Sequence, residues 1–273
     1  MKISKLGWRF ITGIGLYLVL VTSLYFSDWP FLVMLILVLV IAQFEFWQAF
    51  KSQGHETPLI SIEIATAAMV VGGYLFDWWG MLIGYGIGLL FTGVWMIYVF
   101  KFEPPAETKK AGVNYVLGAF ALFYISALAS TLALIIRTDA GNWKALIAIS
   151  LPLVADIGAY GVGKAIGRNK LIPAVSPNKT VEGTLGGALL VALASFIFIG
   201  ILLPAQMNWW KPLLLALIAF TFGTLGDLFE SFIKRRLGLK DFSDLLWGHG
   251  GFLDRIDSVI LTAPAMLLIF SLL

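Results

Sequence analysis

The stretch "GHGGFLDRID", residues 248–257, puts one histidine, two aspartates and an arginine within nine residues of a chain that is only 13% charged. Asp254 and Asp257 are three residues apart, and so are Asp227 and Glu230 in "GTLGDLFESFIKRR". Residues at that offset share a helix face. A D-x-x-E and a D-x-x-D on neighbouring helices, with Asp156 from "LVADIGAYGVGK" on a third, are expected to converge on one site. Oxygen-only donors suit a hard cation, Mg2+ above all, as one ion or two. The chain has no cysteine and two histidines, His55 and His249, which excludes thiolate chemistry, cysteine-bound zinc and any multi-histidine metal centre. Basic residues crowd the same region. "SFIKRRLGLKD" supplies Lys234, Arg235, Arg236, Lys240 and Asp241, and "GRNKLIPAVSPNKTVEG" supplies Arg168, Lys170 and Lys179. Carboxylates for Mg2+ beside cations for phosphate are what phosphoryl transfer uses.

Each signal has a plainer reading. Glu230 can pair with Lys234 one helical turn on, Asp254 with neighbours of Arg255, and Asp156 can make a hydrogen bond between packed helices. Arg168, Lys170 and Arg236 serve equally well as topology signals or contacts to anionic lipid headgroups. "GAYGVGKA", 158–165, comes close to a phosphate-binding G-x-x-x-x-G-K-[ST] loop, but Ala165 replaces the hydroxyl residue and an apolar span precedes it. Its glycines are expected to let helices pack closely. "GHGG", 248–251, stands after a polar loop and before a helix, where backbone N–H groups can meet an anion or form a simple turn; the adjoining D-R-I-D favours a site.

The elements that must carry these groups are membrane helices. The chain is 59% hydrophobic with a mean hydropathy of +0.90. Apolar runs recur at 7–26, 30–49, 60–76, 79–99, 112–136, 145–163, 183–203, 212–233 and 256–272, each close to the ~20 residues that cross a bilayer. The first is expected to stay as a helix and not be cleaved as a signal peptide. The N-terminus and the loops after the second, fourth, sixth and eighth spans hold 16 of the 19 Lys and Arg. The expected fold is therefore an all-α integral membrane protein of about nine transmembrane helices, with its N-terminus cytoplasmic and its C-terminus outside. Residues 1–136 form N-terminal transmembrane helices, and 137–273 a catalytic region with cytoplasmic loops 164–182 and 234–255. Charged residues in mid-bilayer cost about 2.5–3.5 kcal/mol each, so the carboxylates must be paired, bind metal or face a wet cavity. The scattered basic residues argue against nucleic acid as a partner.

Ser231 to Asp257, "SFIKRRLGLKDFSDLLWGHGGFLDRID", closely resembles the signature of the phosphatidate cytidylyltransferases, also called CDP-diacylglycerol synthases: S-x-x-K-R, then K-D, then H-G-G-x-x-D-R-x-D. Trp247 departs from it, standing where that family usually has Pro, Gly or Ser. "SPNKTVEG", 176–183, and "ADIGAYGVGKAIG" resemble two further family segments, so the strong resemblance covers about 152–257; before that only hydropathy and "FEFW" around Glu45 support it. The resemblance implies transfer of CMP from CTP to phosphatidic acid with Mg2+, at the cytoplasmic face of a membrane, in bacteria the inner one. It implies Asp227, Asp254 and Asp257, with Asp156, as metal ligands. Lys179, Lys234, Arg235, Lys240 and Arg255 would neutralise phosphates, and Asp241 would orient Lys240 or Arg235. His249, Gly250 and Gly251 would shape the nucleotide loop, and Ser176 and Glu182 are carried over as substrate-binding. Membrane lipids are partners, and a homodimer stays open. The rivals are another CTP-dependent lipid enzyme, such as a polyprenol or phytol kinase or an archaeol cytidylyltransferase, and an ion-coupled transporter.

Overall fold

The computed structural model describes residues 5–173, 175–246 and 250–272, and the side chains of all of these except 5–11, 105–107 and 206. Trp247 and the expected nucleotide-loop residue His249 lie outside the described residues. In lipid every backbone N–H and C=O must be satisfied within the protein, and a helix does this along its own length. The apolar runs fold accordingly: α1 (Lys5–Phe26), α2 (Asp28–Lys51), α3 (Leu59–Phe102), α4 (Pro105–Ala121), a π-helical turn (Leu122–Ala127), α5 (Leu128–Ile136), α6 (Gly141–Ile166), α7 (Val181–Leu202), α8 (Lys211–Arg236) and α9 (Leu253–Leu272). Among the described residues seven helical stretches are long and apolar enough to cross a membrane, and the protein is an all-α integral membrane protein.

The spans expected at 60–76 and 79–99 are the two arms of α3. Asp77, at φ 63° and ψ −150°, breaks the helical path between them. A Cβ on Gly72 would lie 2.7 Å from the Gly80 carbonyl oxygen, one on Gly84 2.8 Å from the Met69 nitrogen, and one on Gly88 2.7 Å from the Ala65 Cβ. Those pairs step outward from residue 77 at matching distances along the chain, as in an antiparallel helical hairpin. Glycine is what lets the two backbones approach this closely. Arg137 lies 3.6 Å from the Asp77 carboxylate at the turn.

The chain forms two compact units. One takes the chain up to Arg137 together with Leu239–Arg255, and the other takes Thr138–Gly238 together with the segment from Ile256 on. In the first unit the π-helical turn widens the backbone ladder. The Gln43 amide donates to the Ala121 carbonyl (2.9 Å) and to Ser126 Oγ (2.6 Å), and Ser126 also bonds Thr66. In the second unit two glycines of 158–165, Gly158 and Gly163, pack against neighbouring residues, whereas Gly161 faces open space. A Cβ on Gly158 would lie 3.1 Å from Gly187 Cα, and one on Gly183 would lie 2.5 Å from the Ala159 carbonyl oxygen. The connection expected as a plain loop at 164–182 contains a small antiparallel hairpin, β1 (Lys170–Ile172) and β2 (Ser176–Thr180), with Lys170 opposite Thr180. β-branched Ile172 and Thr180 lie in its strands, which such residues suit.

Candidate active site

In the second unit α6, α8, α9 and β2 bring five expected site residues together: Asp156, Lys179, Asp227, Lys234 and Asp257. Asp227, Glu230 and Lys234 follow one another at three- and four-residue steps and so share a face of α8. Helix α9 runs very close to α8 at this level, because a side chain on Gly226 would run into the backbone carbonyl of Asp257. Asp257 therefore interacts with Asp227, Glu230 and Lys234, and its Oδ1 accepts from the Ser258 N–H at 2.6 Å. Asp156 on α6 interacts electrostatically with Asp257, Asp227 and Lys179. Lys179, at the end of β2, forms an ion pair with Asp227, whose other oxygen accepts from Ser231 Oγ at 3.4 Å. Lys234 pairs with Glu230 at 3.2 Å, the i,i+4 contact that the spacing allows. The cluster is largely shielded from water: Glu230 is 0% exposed, and Asp257 and Lys234 are 8% exposed. Buried charges survive only when paired, and here acids and lysines alternate.

Other expected residues of this unit have structural partners. Glu182 accepts from the N–H groups of Arg168 (3.0 Å) and Asn169 (3.2 Å) and from the Asn169 side-chain amide (2.7 Å). It thus ties the start of α7 to the short connection between α6 and β1. Thr180 caps α7, its Oγ1 accepting from the Gly183 N–H at 3.1 Å. Ser176 opens β2 and is half-buried. Arg235 is exposed and donates from Nε to the Val175 carbonyl at 3.5 Å.

The first unit holds the segment 239–255. Lys240, Asp241 and Arg255 are exposed on it. Asp254 Oδ2 accepts from the N–H groups of Phe242 (3.0 Å) and Gly251 (2.8 Å). Gly250 sits at φ +81°, a left-handed conformation that favours glycine, and a Cβ there would lie 2.9 Å from Asp254 Oδ2 and 3.4 Å from Asp241 Cβ. Sequence reasoning noted one further carboxylate, within "FEFW", without giving it a role. Glu45 on α2 is 1% exposed, and it accepts from Ser243 Oγ (2.6 Å), the Phe252 N–H (3.0 Å) and the Leu253 N–H (2.8 Å). Of the N–H groups of 248–251, read from sequence as open to an anion or as a simple turn, that of Gly251 is taken up by Asp254, and the next two, of Phe252 and Leu253, by Glu45. The available signal was an acidic residue in a membrane helix, which demands partners.

The donor set fits a magnesium ion by type, since Asp156, Asp227 and Asp257 offer only oxygen. Among the described residues no group of three or more His, Cys, Asp or Glu is placed to hold a metal ion by itself. Mg2+ does not require such a cage, because it is commonly held by one or two carboxylates, with substrate phosphates and water completing the octahedron.

Comparison with known proteins gives concordant findings. The cytidylyltransferase family profile matches residues 7–273. The phosphatidate cytidylyltransferase of Mycobacterium leprae is 30% identical over 267 residues, covering 92% of this chain and 83% of that protein. That of Mycobacterium bovis is 27% identical over 269 residues, covering 96% and 87%. That of Staphylococcus aureus is 37% identical over 163 residues, covering 59% and 50%.

Proposed function

The chain belongs to the cytidylyltransferase family, and from that premise we propose how it makes CDP-diacylglycerol and pyrophosphate from CTP and phosphatidate. The observation that carries the mechanism is the cluster of four carboxylates, Asp156, Asp227, Glu230 and Asp257, with Lys179 and Lys234 among membrane helices. The attacking group is a phosphate oxygen of phosphatidate, and the bond that breaks joins the α-phosphorus of CTP to the oxygen bridging to the β-phosphate. A phosphate monoester has a second pKa near 6 and is largely dianionic at neutral pH. No strong general base is needed, which agrees with a site built of carboxylates and lysines. The work left to the protein is to align two polyanions and offset their repulsion.

Lys179 and Lys234 suit that task. Each ammonium is held by a carboxylate, Asp227 and Glu230 respectively, so it is positioned before substrate arrives. Arg235, Lys240 and Arg255 are exposed cations proposed to bind phosphate oxygens. Mg2+, bound by Asp227 and Asp257 with Asp156 alongside, would add positive charge against the triphosphate. Asp254 is proposed to join them through Oδ1, while its Oδ2 organises the loop before α9.

The test is pyrophosphate release by purified protein in lipid vesicles. Release is expected only when CTP and phosphatidate are both present; release with a polyprenol in place of phosphatidate, at the same rate, would refute the assignment. We also propose that the reacting groups face the cytoplasm from the bacterial inner membrane, on the basis of the asymmetry of Lys and Arg. The native chain has no cysteine, so single replacements are readable. A membrane-impermeant thiol reagent is expected to label N178C and D244C from the cytoplasmic side and N208C from outside. Labelling of D244C from outside would reverse the orientation.

A further inference from the structure

We infer that Glu45 is a positioning residue for the phosphate-binding segment 239–255, an inference that rests on the proposed role of that segment in holding CTP. Glu45 belongs to α2, and its partner Ser243 lies 198 residues further along the chain. A carboxylate that is 1% exposed in a membrane protein is costly unless its oxygens are well bonded. Here Oε1 accepts from Ser243 Oγ and the Phe252 N–H, and Oε2 accepts from the Leu253 N–H. The last two belong to the opening turn of α9, where N–H groups have no partner within the helix and a negative charge is favoured. Gly251 is held against the same carboxylate, because a Cβ there would come within 2.5 Å of Glu45 Oε2.

Asp254 completes the arrangement from the other side, its Oδ2 accepting from the Phe242 and Gly251 N–H groups. Phe242, Ser243 and residues 251–253 are thus held by two carboxylates, one from α9 itself and one from α2. Glu45 acts on the loop through Ser243 and through the backbone of 252 and 253. It fixes the loop whose neighbours Lys240 and Arg255 are the proposed phosphate contacts. An internal carboxylate in this place also occupies the N–H groups of Phe252 and Leu253, which are then not free to meet an anion.

Glu45→Gln keeps the volume but turns an N–H2 donor towards N–H donors that a carboxylate accepts. Steady-state kinetics of the full-length protein in phosphatidate vesicles is expected to give a KM for CTP raised about tenfold or more, as small misplacements of binding groups do. The KM for phosphatidate should stay near wild type. Hydrogen–deuterium exchange of the same protein without substrates should rise at 251–253 and stay unchanged in the α3 hairpin. Ser243→Ala, which removes one of the three bonds, is expected to move both readings in the same direction by less, and it carries the test if Glu45→Gln does not fold. A purely structural Glu45 predicts a lower melting temperature with an unchanged KM for CTP, and that result would overturn the inference. So would unaltered exchange at 251–253. Wild-type protein that makes no CTP-dependent product would refute the functional reading instead, and the exchange measurement would still decide whether Glu45 holds the loop.

Discussion

Asp257→Asn and Asp227→Asn are each expected to lower kcat for CDP-diacylglycerol formation by at least about 10²-fold, the scale on which a single preorganised charge contact acts. Both substitutions keep side-chain volume and remove one negative charge. Folding should survive, because an amide is less costly than a carboxylate in a membrane. In Asp257→Asn the Oδ1 that accepts from the Ser258 N–H is retained. In Asp227→Asn the ion pair with Lys179 is lost, yet both side chains are partly exposed, at 22% and 21%, so a modest cost in stability follows. If these carboxylates hold Mg2+, the remaining activity should need more of it. The measurement is a Mg2+ titration of product formation beside a thermal melt of each purified variant. Variants that melt like wild type, turn over at the wild-type rate and keep the same Mg2+ midpoint would remove both residues from the chemistry.

The second large effect is at Lys234. Lys234→Gln is expected to slow turnover by about 10²-fold through loss of a fixed charge facing the phosphates. It should also destabilise the protein by about 3–5 kcal/mol, because Glu230, 0% exposed, loses its counter-charge. The double variant E230Q/K234Q separates the two effects. It removes the buried pair as a whole, which is often near neutral for stability. The melting temperature should return towards wild type while turnover stays low. Recovery of both would mean that the pair is structural only. Lys110→Gln, on a half-buried lysine outside the site that bonds the Gly54 carbonyl at 3.0 Å, should leave turnover near wild type.

The hydrophobic runs located the helices well, because a membrane helix needs one long apolar stretch and little else. The break at Asp77 was also legible, as the short polar interval between two runs, and the Gly72–Gly80 approach explains why the arms then pack so tightly. Within the site, the i,i+3 offset of Asp227 and Glu230 correctly set both on one face of α8, where Lys234 and Asp257 meet them. For Asp254 the offset left out a local bonding opportunity. Asp254 lies at the opening of α9, where a side chain can turn back to unpaired backbone N–H groups, and its Oδ2 does so. Glu182 was carried over as a substrate contact, yet it holds Arg168 and Asn169 through their backbone. The role of Glu45 was beyond sequence reasoning for a physical reason: its partners lie about 200 residues away, and no local spacing encodes a contact of that range.

The central claim is that CMP, and not the terminal phosphate of CTP, is transferred to the lipid. Purified protein in phosphatidate vesicles can be given CTP labelled at either the α- or the γ-phosphate, and the label followed into extracted lipid and into water-soluble products. The account predicts that the α-label enters the lipid as the γ-label appears in pyrophosphate, in equal amounts. A γ-label in the lipid, with none from the α-position, would be the signature of a kinase and would contradict it.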